Sequence, residues 1–196
     1  MTVVHHFDPP DRFIAGTVGE PGQRTFFLQA RAGNELTSVA LEKQQVQILG
    51  ERVDELLDEL LESGETRGLV PAVTPSELVD SAALDQPIVE EFRAGTITLS
   101  WDAADERVVI EVFPVTEEAL STPLETDEEG LVELPFVEPE PTELLVVRLP
   151  APMARAFATR AGRVVSAGRE QCPFCGGPID PEGHLCPRAN GYRRRA

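Results

Sequence analysis

Four residues near the end of the chain have the types and spacing of one metal site. Cys172 and Cys175 lie in Cys-Pro-Phe-Cys, and His184 and Cys186 follow in His-Leu-Cys. Zinc takes four tetrahedral ligands from thiolate and imidazole, about 2.3 Å from each sulfur, and a Cys-x2-Cys turn delivers two sulfurs to one ion with little strain. The expected cofactor is therefore one structural zinc per chain. Four protein ligands close the ion to water and substrate, so the expected role is a staple and not a catalyst. The second half departs from a paired Cys-x2-Cys, which makes His184 the least specified of the four ligands. The intervening loop 176–183 is too small to form a core, so metal binding would supply much of its folding free energy. These are the only three cysteines in the chain. An odd number clustered with a histidine suits a reducing compartment, where such spacing binds metal more readily than it forms disulfides.

Other residues offer weaker chemistry. His5 and His6, with Asp8 and Asp11, could form an acid–base group, but a working base needs a held geometry that no neighbouring motif supplies. Adjacent histidines in a flexible N-terminus are the simpler reading. Gly16, Gly19 and Gly22 are spaced like a phosphate-gripping loop, yet no helix and no Lys-Ser/Thr pair follow, so a hairpin turn is expected. Glu42, at a strand-to-helix junction with Gln45 beyond it, reads as a polar cap. Arg193–Arg195 at the terminus read as solvated. No catalytic and no cofactor-binding residue besides the metal ligands is assigned.

The elements that must carry these residues follow from periodicity. Residues 12–18, 23–31 and 35–42 are rich in β-branched and aromatic residues and are separated by glycine turns, which predicts a three-strand meander. From 43 to 63 the period changes: Val46, Leu49, Val53, Leu56, Leu57 and Leu60 recur at helical spacing with acids opposite. A second unit repeats the plan, with strands over 88–101, 106–113 and 143–149 and a helix from about Pro152 to Ala167. Pro150 and Pro152 suit the first turn of that helix. Two strand-strand-strand-helix units predict an α+β fold, with helices packed on antiparallel sheet in two layers, followed by a small zinc knuckle. The expected organisation is an α+β domain over 1–169 and a zinc-binding tail over 170–196. Insertions interrupt the domain at about 64–87, with a short helix near Ser76, and at about 114–142, an acidic, proline-rich stretch.

Charge is distributed unevenly. The chain carries a net −17, but residues 1–150 hold 9 Lys/Arg against 31 acids, whereas residues 151–196 hold 8 Arg against 3 acids. Such asymmetry is found in nucleic-acid-binding tails, and it also arises when a basic segment docks on its own acidic body. An acidic body repels polyanions over the roughly 8 Å that physiological salt leaves unscreened, which favours the second reading. No apolar run reaches the roughly 20 residues of a membrane span, and Met1–Pro10 contains no basic and apolar leader. A cytoplasmic protein is expected.

Nearly the whole chain resembles an uncharacterised actinobacterial family catalogued as a domain of unknown function. The resemblance rests on Phe7–Gly19, on Ser38–Gln45, and on the stretch from Cys172 to Tyr192 that holds the cysteines. It implies a cysteine-rich C-terminal turn, and an association with a histidine-phosphatase-like and a lipid-kinase-like protein in a trio of unassigned function. It implies no catalytic residue.

Three functional classes remain open. The first is a non-catalytic adaptor or regulatory protein presenting its body and zinc-stapled tail to a protein partner. The second is a nucleic-acid-associated protein using the basic tail. The third is an enzyme with a cleft between the two units, using Asp8, Asp11 or Glu42.

Overall fold

The computed structural model of the protein describes residues 2–20, 22–64, 66, 68–115, 142–167, 172, 174, 175, 186 and 188. Among these residues, seven strands form one sheet: β1 (Val3–Phe7), β2 (Arg12–Val18), β3 (Thr25–Ala32), β4 (Glu35–Leu41), β5 (Glu90–Asp102), β6 (Arg107–Pro114) and β7 (Glu143–Pro150). Two helices, α1 (Lys43–Ser63) and α2 (Ala151–Ser166), each follow the third strand of a unit, as the periodicity predicts. The α+β class therefore stands, and the strand order β1-β7-β6-β5-β4-β3-β2 shows how the units join.

Within each unit the pairing is antiparallel. Between units it is parallel: β4 lies beside β5, and β1 lies beside β7 with Phe7 opposite Val147. The sheet is thus mixed where an antiparallel one was expected. A parallel neighbour needs a long crossover, and α1 with the insertion after it provides one between β4 and β5. Strand β1 itself was not expected; Val3–Phe7 is short and its two histidines mask the alternation. The short helix expected near Ser76 is a single 3-10 turn, Ser76–Leu78.

Strands β1 and β2 occupy opposite ends of the strand order, yet residues 8–11 join them. The sheet must therefore curl strongly. Its concave face carries every second residue of β6 and β7, Val108, Ile110 and Val112 with Leu145, Val147 and Leu149, all fully buried. The same core holds Val46, Leu49, Val53 and Leu57 of α1 and Phe157 of α2, whose ring lies 4.7 Å from that of Phe13. The helices touch closely at Gly50, where a Cβ would come within 2.9 Å of the Ala161 Cβ. Helix α1 begins at the expected cap, with the Glu42 N–H donating to Gln45 Oε1 at 2.8 Å. It ends at Gly64, whose φ of 68° is the left-handed conformation glycine adopts at low cost.

The convex face of β2, β3 and β4 is covered as well. Ile14, Phe27 and Ala40 pack against Leu84 of the first insertion, and Gly16 leaves the room that Leu84 occupies, since a Cβ there would lie 2.6 Å from it. Gln29 secures the segment by donating to the Asp85 carbonyl and accepting from the Asp85 N–H. Burial on both faces explains why β3 reads Phe-Phe-Leu without polar alternation.

Candidate metal centre

Cys172 and Cys175 belong to the turn that follows α2, and Cys186 meets them from eleven residues further along the chain. The three sulfurs lie within 4.8 Å of one another, with Cys172 and Cys186 buried and Cys175 half-buried. Cys172 Sγ and Cys186 Sγ are 3.6 Å apart. A tetrahedral ion about 2.3 Å from each sulfur separates its sulfurs by about 3.8 Å, so this cluster is sized for one ion. All three are thiols and none is in a disulfide.

The turn also shifts the chemistry of its first candidate ligand. Backbone N–H groups of Cys175 and then Phe174 donate to the Cys172 sulfur, and the neighbouring thiols assist against the opposing effect of burial, so its pKa falls to about 6. Metals bind the thiolate, which these donors favour. Phe174 between the two cysteines is 63% exposed, and its carbonyl accepts from Arg188 Nη1 at 3.1 Å, fastening the two halves of the tail. His184, the sequence-derived fourth ligand, lies outside the described residues, as do 116–141 and Arg193–Arg195.

The other sequence candidates are dispersed into separate structural roles. His5 is held in β1, with Nδ1 3.3 Å from Thr37 Oγ1 on β4, so this N-terminal pair is part of the sheet and not a flexible end. Its Nε2, like Glu143 Oε2 on β7, is buried without a hydrogen-bond partner. His6 is exposed. Asp8 pairs with Arg148 at 3.0 Å, and Arg148 also binds Asp102 and Asp105. Asp11 accepts the Gly33 N–H at 2.7 Å. Glu42 caps α1 and pairs with Arg93 at 3.1 Å. Gly19 and Gly22 both have a φ of 102° and shape the turn between β2 and β3.

Sequence reading missed a clamp of buried arginines on α2. Arg160 donates from Nε to the Ala15 carbonyl at 2.8 Å and from Nη2 to the Ala82 carbonyl at 2.7 Å, while Nη1 meets Asp80 Oδ1 at 2.9 Å. Arg12 holds the other Asp80 oxygen at 2.6 Å. Five residues before Arg160, Arg155 binds Asp54 at 2.6 Å, Asp58 at 2.7 Å and the Pro71 carbonyl at 3.1 Å. These contacts tie the insertion to the helices. They also engage part of the basic charge of residues 151–196 with acids of the body. No local signal marks them, because Arg160 and Ala15 are 145 residues apart.

A groove of about 530 Å³ opens beside this clamp, lined by Asp11, Arg12, Arg31, Glu77, Asp80 and Met153 among others. Its arginines face carboxylates: Arg12 pairs with Asp80 and Asp85, and Arg31 with Asp85 at 3.1 Å. Asp80 is held below its ordinary value of 3.8, first by the hydrogen bond from Arg12, then by the Ala82 N–H and the Arg12 and Arg160 charges, against burial. A carboxyl with a lowered folded-state pKa contributes fully above its unfolded value and loses that contribution as pH falls through the folded value. Asp80→Asn is therefore expected to lower the urea midpoint at pH 7, with the gap to wild type closing below about pH 4. A gap that stays constant from pH 7 to pH 2 would show that the carboxylate charge is not what Asp80 contributes.

The fold and site together define an α+β protein with a thiol cluster sized for a metal ion in its C-terminal turn. The chain belongs to the family described as protein of unknown function DUF3090, whose profile matches residues 5–186. No curated protein and no solved structure matches it. No helix among the described residues is long and apolar enough to cross a membrane.

Proposed function

We propose that the protein is a non-catalytic adaptor or regulatory protein of the reducing cytoplasm, with one structural zinc held by Cys172, Cys175, His184 and Cys186. The observation that carries this reading is the thiol cluster, with three sulfurs within 4.8 Å of one another. A full set of protein ligands leaves the ion no open position, so its role is to hold the tail in shape. The exposed ring of Phe174 stands on that turn, and aromatic side chains are the type of residue that anchors protein interfaces. The carboxylates that an enzyme would need, Asp8, Asp11 and Glu42, each hold a different structural partner. The net −17 of the chain favours the adaptor reading over nucleic-acid binding, because an acidic body repels a polyanion.

The test is purification of the tagged protein from native cells, with Phe174→Ala and Cys186→Ser alongside. A partner recovered stoichiometrically with wild type is expected to fall at least about tenfold with either substitution, as for loss of a central aromatic contact. A partner indifferent to both, or a protein recovered alone, refutes the adaptor reading.

A further inference from the structure

The chain has three thiols, and all of them are in one place. Whatever reacts with thiols must therefore act on the cluster that shapes the tail. Cys172 and Cys186 are in sulfur contact at 3.6 Å, are 14 residues apart in the chain, and are both buried, whereas Cys175 lies nearer the surface. A disulfide needs the sulfurs to close from 3.6 Å to about 2.05 Å.

We propose that Cys172 and Cys186 are an oxidant-reactive pair, which a hydroperoxide closes into a disulfide, thereby releasing the metal. The inference rests on the metal-site reading above. In the first step a sulfur of the pair attacks the peroxide: an S–O bond forms, the O–O bond breaks, and the leaving oxygen takes a proton. In the second step the other sulfur attacks the sulfenic acid: an S–S bond forms, the S–O bond breaks, and the departing hydroxide takes a proton. With hydrogen peroxide two thiolates and two protons yield one disulfide and two waters. The sulfurs lose two electrons and the peroxide gains them. The product keeps positions 172 and 186 joined but withdraws two ligands, and the remaining Cys175 and His184 are too few for a closed site. Reduction by a dithiol reverses the change.

The experiment uses the full chain purified under reducing conditions, its zinc content measured first, then treated with one equivalent of hydrogen peroxide. Disulfides are mapped by mass spectrometry after alkylation, and released zinc is read with a chromogenic chelator. The expected result is a Cys172–Cys186 disulfide with loss of bound zinc in proportion to it, both restored by dithiothreitol and zinc. In Cys175→Ser the same linkage forms. A Cys172–Cys175 linkage overturns the proposal, as does oxidation of Cys175 alone or retention of three thiols and zinc. Absence of zinc before oxidation refutes the metal reading separately. The linkage map still decides the reactive pair in that protein: a Cys172–Cys186 disulfide supports it, and any other result overturns it.

Discussion

Cys172→Ser or Cys186→Ser is expected to reduce bound zinc from about one per chain to none while the sheet and helices melt as in wild type. The two halves of this expectation have different physical causes. A serine oxygen is a poor ligand for a borderline-soft ion, and removing one of a few convergent ligands opens the site. The tail has nothing to substitute: among the described tail residues only Cys172 and Cys186 are buried. Metal binding is then equivalent to folding of that segment, and its loss leaves the segment open to protease. The body keeps its own core, built from the curled sheet and both helices, and that core contains no cysteine. Elemental analysis and limited proteolysis check the first half, and the thermal transition checks the second. A wild-type protein that is folded and metal-free refutes the site. A body that unfolds together with the tail refutes their independence.

Arg160→Ala is expected to cost the body about 2–4 kcal/mol, from the hydrogen bonds of a buried guanidinium and the space it leaves. The side chain of Arg160 is 8% exposed and its guanidinium fills the space between β2, α2 and residues 80–82. Its removal takes the donor from the Ala15 carbonyl, leaves those of Asp80 and Ala82 to longer contacts of 3.3 Å with Arg163 and Arg12, and opens a cavity. For a chain of this size the melting temperature should fall on the order of 10 °C. Arg160→Lys should recover little, because one ammonium cannot meet acceptors that the planar fork reaches on three sides. Arg163→Ala is the internal control: its contact with the Asp80 carbonyl at 3.3 Å is exposed, so the change should stay within about 1 kcal/mol. Equal effects at positions 160 and 163 would show that burial is not the source of the stabilisation.

The elements were legible wherever their signal was local. Val46, Leu49, Val53 and Leu57 repeat at helical spacing, and α1 covers the predicted residues 43–63. Val108, Ile110 and Val112 alternate, and β6 follows. The cap at Glu42 and Gln45 was readable because both partners lie within one turn. Strand β1 was not readable: His5 and His6 offer no apolar period, and the strand exists because β7 provides an edge to pair with. For the site, the pair Cys172 and Cys175 follows from spacing alone, whereas the approach of Cys186 to 3.6 Å is a property of the folded turn.

The amino-acid order specified the helices, most strands, the thiol chemistry and the charge contrast between body and tail, because each depends on neighbours a few residues apart. Folding in three dimensions set the parallel junctions of β4 with β5 and β1 with β7, the curl of the sheet, and the use of the basic charge. An arginine in a sequence reads the same whether water or three carbonyls will surround it. Arg155 and Arg160 become internal clamps because packing α2 against α1 and the sheet removes them from water beside Asp54, Asp58 and Asp80. Once buried, each charge is stable only where such partners already wait.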